Sequence, residues 1–248
     1  GEWTENGSQF MSVNPSDISD QIGPFYEATE NDCHLAISSA RGAFESWSES
    51  QLEERKKILD QIGDALINNS QEIGKLIARE EGKTVAEGAG EVYRSGQFFQ
   101  YFGAEVLRQM GEVATSVRSN IDIEVTREPL GVIGIITPWN FPVAVAAWKI
   151  APAIAFGNSV VLKPSEIVPA SASAFAEIIH QSELPDGVFN CVQGSGDVGQ
   201  MITNSKNIDG ISFTGSVRTG KQIAQNAMKN MVRIQMEMGS KNALVVLN

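Results

Sequence analysis

Residues 131–164 read GVIGIITPWNFPVAVAAWKIAPAIAFGNSVVLKP, and they decide the fold. GVIGIIT (131–137) is a short apolar run between Gly and Pro. FPVAVAAWKIAPAIAF (141–156) is long enough for a helix, and SVVLKP (159–164) is a second β-branched run. Strands that are apolar on both faces belong inside a parallel sheet with helices on each side. The alternation continues outward. PASASAFAEIIHQS (169–182), GDVGQMITN (196–204) and RTGKQIAQNAMKN (218–230) read as helices, and VFNCVQ (188–193), DGISFT (209–214) and ALVVL (243–247) as strands. The expected fold class is α/β, a doubly wound parallel sheet of about five strands. Such sheets bind ligands at the carboxyl ends of their strands, so chemistry is sought just after each one.

From Glu30 to Met110 the pattern is helical. Ile37, Ala40, Phe44 and Trp47 share one face. Ser50 with Glu53, and Thr84 with Glu87, have the spacing of capping boxes. They precede core stripes of Ile58, Leu59, Ile62 and Leu66, and of Val92, Phe99, Phe102 and Val106. Over 112–128 the period falls to two: Ile121, Ile123 and Val125 alternate with Asp122, Glu124 and Thr126. That predicts a half-exposed strand in a hairpin, open to pairing with another chain or to cover by its own domain.

Composition sets the outer limits. A chain of 248 residues with 42% hydrophobic and 20% charged residues builds a real core and is not disordered. Its formal net charge of −11 excludes nucleic acid as the main partner. Two cysteines cannot staple a fold of this size, and with no secretory signal at the start they point to the cytoplasm. The most apolar stretch, Val132 to Ala172, is broken by Pro138, Asn140, Pro142, Lys149 and Pro152, so it lacks the run of about 20 residues a membrane span needs. His34 and His180 have no metal-ligand spacing, and no metal is expected. The chain opens on Gly and closes within an apolar run, so a longer parent chain is expected.

Three glycine patterns follow strands. Gly194-Ser-Gly196-Asp-Val-Gly199 is a literal GxGxxG without the acidic residue expected about 20 positions on; it is a phosphate turn or merely the start of a short helix. Gly215-Ser-Val-Arg-Thr-Gly220-Lys221-Gln222 nearly matches a nucleotide-hydrolase phosphate loop, but Gln222 replaces the hydroxyl that would hold magnesium. A glycine turn with Ser216 at a helix start remains, which suits a pyrophosphate. In the third, Asn140 lies between Pro138 and Pro142 beside Trp139. A held amide there serves as an oxyanion donor or as a cap of the next helix. Lys163 and Glu166, in KPSE, either hydrogen-bond ribose hydroxyls or are surface charge at a helix start. Glu237 is a surface residue or a base whose pKa partial burial would raise.

ITPWNFP, WKIAPAIAFGNSVVLKPSE, FTGS and EMGSKN, in this order, closely resemble the NAD(P)-dependent aldehyde dehydrogenase superfamily, over essentially the whole chain. REPLGVIGIITPWNFP and EMGSKNALVVL look most like its α-ketoglutaric semialdehyde (2,5-dioxovalerate) branch. The resemblance implies an N-terminal cofactor-binding domain over 1–248, with a helical part at 30–110, an oligomerisation hairpin at 112–128 and a Rossmann-like part at 131–248. Asn140 would donate to the thiohemiacetal oxyanion, and Glu237 would be the general base. Lys163 and Glu166 would hold the adenosine ribose, favouring NAD with NADP still possible. Gly215 and Ser216 would face the pyrophosphate. Ile136, Thr137, Pro138, Trp139, Ser165, Gly196, Phe213 and Gly239 would line the groove. A small-molecule aldehyde is the implied substrate, and a homo-oligomer (dimer or tetramer) the implied state of the parent.

Two departures stand out. Ser240 replaces a second Gly of the family. The family's catalytic Cys and the Glu that holds its nicotinamide ribose lie downstream, in a second domain, so these residues alone are expected to be inactive. Cys33 and Cys191 sit in apolar settings without a base and are not expected to substitute. Two alternatives are a non-catalytic cofactor-binding or assembly module and, remotely, a phosphate-loop hydrolase.

Overall fold

A computed structural model describes residues 2–108, 110–239 and 242–247. It opens with an antiparallel pair, β1 (Gln9–Val13) and β2 (Gln21–Tyr26), which sequence patterning did not reveal. Four helices follow: α1 (Glu30–Trp47), α2 (Leu52–Asn68), α3 (Ser70–Glu81) and α4 (Val85–Glu105). The predicted stripes are core: Ile37, Trp47, Ile58, Leu59, Ile62, Leu66, Val92, Phe99 and Val106 are all buried. Val106 lies just past α4, in a 3-10 turn. Helix α3 falls within the stretch expected to be helical, where no separate start was marked for it.

The two capping expectations part company. Thr84 and Glu87 form the reciprocal box at the start of α4, and Thr29 with Asp32 forms another at α1. Ser50 and Glu53 do not, because α2 starts one residue later, with Gln51 at its N-cap. The Ser50 hydroxyl instead donates to Trp47 O at 2.6 Å and accepts from Arg55 Nε at 2.8 Å. The buried Arg55 guanidinium also donates to Trp47 O and Ser48 O, satisfying carbonyls at the end of α1.

Strands β3 (Glu112–Thr115) and β4 (Asp122–Val125) form the expected antiparallel hairpin. It is exposed on both faces rather than half-exposed, because among the described residues no element covers either face. The α/β part comprises β5 (Val132–Ile136), α5 (Ala144–Ala155), β6 (Ser159–Lys163), α6 (Pro169–His180), β7 (Phe189–Cys191), α7 (Gly196–Asn204), β8 (Gly210–Gly215), α8 (Val217–Lys229) and β9 (Arg233–Met238). The five strands are parallel in the order β7-β6-β5-β8-β9. The fold class is as expected, but the fifth strand is RIQMEM and not ALVVL. Residues 242–247 have no regular structure, and Leu244, Val245, Val246 and Leu247 are exposed. The alternation of Ile234, Met236 and Met238 with Arg233, Gln235 and Glu237 is the period of two that marks β9.

Side chains leave the central strands alternately. Ile135, Val160 and Leu162 join the core formed with α2, α4, α5 and α6. Val132, Ile136, Val161, Ile211 and Phe213 join the core under α1, α7 and α8. Gly134 is needed where α7 crosses the sheet, since a Cβ there would meet Ile202 Cγ2 at 2.7 Å. No helix of the described residues is long and apolar enough to cross a membrane.

Candidate functional site

Because all five strands run the same way, their carboxyl ends meet along one edge. The chain steps from β5 to β6 and β7 on one side, then returns to place β8 and β9 on the other. The loops after β5 and β8 therefore flank the topological switch point, the place where sheets of this kind bind ligands. Register aligns Ile136 with both Lys163 and Phe213, and Thr214 with Glu237. Of the residues singled out in the sequence, Ile136, Thr137, Lys163, Ser165 and Phe213 are buried at this edge. Trp139, Asn140, Glu166, Gly196, Ser216, Glu237 and Gly239 are exposed, and Pro138 and Gly215 are intermediate.

Past β6, Lys163 Nζ meets Glu166 Oε2 at 3.0 Å, with the lysine side chain buried and the glutamate half exposed. Burial pushes the Glu166 carboxyl up, but its own backbone N–H and the Lys163 ammonium outweigh that and hold it below the usual carboxylate range. Past β8, Ser216 is the N-cap of α8 and accepts from Thr219 N–H at 3.1 Å. Helix α8 begins at Val217, so Val217, Arg218 and Thr219 are already helical. No loop remains to wrap a triphosphate, which removes the phosphate-loop hydrolase reading on geometry as well as on Gln222.

The Asn140 loop is held from behind by residues the sequence reading missed. Lys83 Nζ donates to Asn140 O at 3.0 Å and lies 4.2 Å from the centre of the Phe141 ring. It is ion-paired with Glu91 at 2.7 Å and Glu81 at 3.1 Å. Burial pulls the ammonium down, yet these two carboxylates hold it above its ordinary value. Glu91 Oε1 also accepts from Val143 N–H at 2.9 Å and Ala144 N–H at 3.1 Å, and so caps α5. Asn140 is therefore not the cap of that helix, and among the described residues its side-chain amide has no hydrogen-bond partner.

Glu237 lies on β9, one strand beyond β8 and roughly 10 Å from β5 at ordinary strand spacing. It is exposed, so the expected partial burial is not found; β9 is an edge strand among the described residues. A polar chain reaches it from the helical layer. Lys149 Nζ donates to Ser212 Oγ at 2.9 Å and to Gln235 Oε1 at 3.1 Å, and Gln235 Nε2 donates to Glu237 Oε1 at 3.3 Å. Burial lowers the Lys149 pKa, and the Glu237 charge partly opposes this. A lysine inside an otherwise apolar helix was the available signal for this chain.

The match to known proteins coincides with this geometry. The model of the aldehyde dehydrogenase family matches residues 3–248. The chain belongs to the aldehyde dehydrogenase family. It is 37% identical over 244 residues to a 2,5-dioxopentanoate dehydrogenase of Saccharolobus solfataricus, covering 97% of this chain and 51% of the relative. An alpha-ketoglutaric semialdehyde dehydrogenase of Bacillus subtilis is 36% identical, covering 99% and 51%. A betaine aldehyde dehydrogenase of Rhizobium meliloti is 39% identical, covering 98% and 50%. The crystal structure of Staphylococcus aureus betaine aldehyde dehydrogenase in complex with NAD+ superposes with a TM-score of 0.93 at 36% identity, over 98% of this chain and 49% of that one. The chain thus spans about half the length of the curated relatives it matches.

Neither cysteine of this aldehyde dehydrogenase chain is an activated thiolate. Burial, with Asp32 and Glu30 nearby, pushes the Cys33 thiol up to about 11, and burial alone pushes Cys191 up to about 12. Ser240, where the sequence departs from the family pattern, lies outside the described residues.

Proposed function

We propose that this chain is the cofactor-binding part of an NAD(P)-dependent aldehyde dehydrogenase that oxidises an aldehyde to a carboxylate. The observation that carries the reading is the convergence of Lys163–Glu166, Asn140 and Ser216 on the switch-point edge of one parallel sheet, with Glu237 on the outer strand. The residues present fit a dinucleotide. Thr137 Oγ1 and Thr214 Oγ1 are buried at the ends of β5 and β8 without a hydrogen-bond partner among the described residues. A Cβ at Gly196 would meet nothing within 4 Å, so the protein's own packing does not account for a glycine there.

In this reading Lys163 and Glu166 hold the adenosine ribose, and the ionised Glu166 favours a free 2′-hydroxyl over a 2′-phosphate. Gly215 and Ser216 present the N-terminus of α8 to the pyrophosphate. Ile136, Thr137, Pro138, Trp139, Ser165, Phe213, Gly196 and Gly239 line the groove. The cofactor, when bound, supplies the hydride acceptor. The Asn140 amide donates to the carbonyl oxygen as it gains negative charge, and Lys83 fixes the backbone that carries it. Glu237 accepts a proton from the nucleophilic thiol or from the water that releases the acid. That thiol is neither Cys33 nor Cys191.

The proposed substrate class is an α-keto semialdehyde of the 2,5-dioxovalerate kind. The proposed setting is the cytoplasm, where two unpaired cysteines are stable. The exposed β3–β4 hairpin, with Val113, Ile123 and Val125 open to solvent, is proposed as part of a homo-oligomer contact. The test is aldehyde-dependent NADH formation by the full-length gene product. Asn140→Ala and Glu237→Ala are each expected to cut kcat by about 10²-fold or more. Turnover that survives both changes would overturn the roles assigned.

A further inference from the structure

The N-terminus of α7 carries the GxGxxG pattern, and a carboxylate from a distant segment already stands at it. Ser195 N–H donates to Glu27 Oε1 at 2.9 Å, and Ser8 Oγ donates to Glu27 Oε2 at 3.2 Å. Ala28 N–H donates to Gln193 O at 2.8 Å, clamping the join between β2 and α1 against the segment that leads into α7. Gly194, at φ +141°, makes the approach possible. A Cβ there would lie 2.8 Å from Glu27 Cγ and 2.5 Å from Val198 Cγ2. Asp197 adds a second negative charge in the first turn of α7. Val192 N–H donates to Leu162 O at 2.9 Å, so the segment that leads into α7 leaves the sheet beside the strand end that carries Lys163. Lys163 favours the Glu27 charge, and that charge opposes the charge of Glu166.

We propose that Glu27 is a second cofactor-selecting residue, whose carboxylate occupies the α7 N-terminus and so denies it to a 2′-phosphate on the adenosine ribose. The inference rests on the ribose site proposed at Lys163 and Glu166 and extends it. Glu166 would compete for the 2′-position directly. Glu27 would act behind it, spending the Ser195 amide and placing a like charge beside the corner. The sequence there reads as a phosphate turn or the start of a short helix; the carboxylate beside it is already part of the protein.

The test is calorimetric titration of the full-length gene product with NAD+ and, separately, with NADP+. Glu27→Gln keeps an acceptor for Ser195 N–H and removes the charge. It is expected to tighten NADP+ binding about fivefold while NAD+ binding stays within about twofold, and the gain should shrink with added salt. Glu27→Asp retains the charge and is expected to keep the wild-type ratio, which separates charge from packing should Glu27→Gln melt lower. Glu166→Gln is the reference for the site itself. If Glu166→Gln shifts the NADP+/NAD+ ratio and Glu27→Gln does not, Glu27 is only a clamp and the inference is overturned while the ribose site stands. If Glu166→Gln also leaves the ratio unchanged, or the wild-type chain binds neither nucleotide, the ribose site falls and the inference with it.

Discussion

Helices α7 and α8 begin alike, each with a Gly-Ser pair at the end of a parallel strand, yet their N-termini are opposite in charge environment. At α7 the Ser195 amide is spent on Glu27, and Asp197 sits in the first turn. At α8 only Ser216 caps the helix, no acidic residue lies in the first turn, and Arg218 stands there instead. The other two helices of the sheet side with α7. Glu91 accepts from Val143 and Ala144 at α5, and Glu80 accepts from Ala170 and Ser171 at α6. A helix N-terminus attracts an anion. In three of four places the protein supplies its own, and at the fourth, among the described residues, it supplies none. A glycine pattern therefore says little until the occupant of its amides is known.

The comparison can be broken most forcefully at α5. Glu91→Ala strips the cap from Val143 and Ala144 and leaves Lys83 with Glu81 alone. A loss of about 3 kcal/mol or more is expected in urea unfolding. A loss below about 1 kcal/mol would mean that the imported carboxylate is not needed. A locally capped helix provides the contrast. Thr84→Ala at α4 removes a box supplied from within its own first turn, and about 1 kcal/mol is expected in the same experiment.

The smallest effects are the most discriminating, because two imported carboxylates respond oppositely to pH. The Ser195 side chain and backbone amide hold Glu27 below its ordinary pKa of 4.5, so its contribution is present above that value and fades as pH falls through the folded pKa. Burial holds Glu80 above 4.5 despite its bonds to Ser171 and Ala170, so its contribution is full below 4.5 and lost as pH rises through the folded pKa. The stability advantage of wild type over Glu27→Gln should therefore shrink on acidification, and that over Glu80→Gln should grow. Thermal melts between about pH 3 and pH 7 read both slopes. Slopes of the same sign would contradict the assignment.

Much of this was legible in the sequence where the signal is local. The strands of 131–164, all four helices that follow strands and the Thr84–Glu87 box are set by neighbours within a few residues. The places of Lys163, Glu166, Asn140 and Ser216 at that edge were legible for the same reason, since Lys163 ends its strand and the others follow theirs within four residues. The carboxylates that fill α5, α6 and α7 were not. They lie 52, 90 and 168 residues from the amides they cap, and nothing local marks Glu91, Glu80 or Glu27 as a cap. Strand β9 carries only the weak signal of a mixed edge strand, in which Ile234, Met236 and Met238 alternate with Arg233, Gln235 and Glu237. ALVVL was read as a strand on composition alone, and composition does not provide a pairing partner.

The most direct test of the account is to give α8 the occupant that α7 already has. Ser216→Glu places a carboxylate at the one sheet helix N-terminus that no other segment fills. With NAD+ titrated calorimetrically into the wild-type and variant chains, binding by the variant should be about tenfold weaker or worse, a difference of about 1.4 kcal/mol, with little change in melting temperature. Equal affinity in the two chains would show that the cofactor's phosphates do not sit at α8, and the contrast between the two Gly-Ser helices would lose its functional meaning.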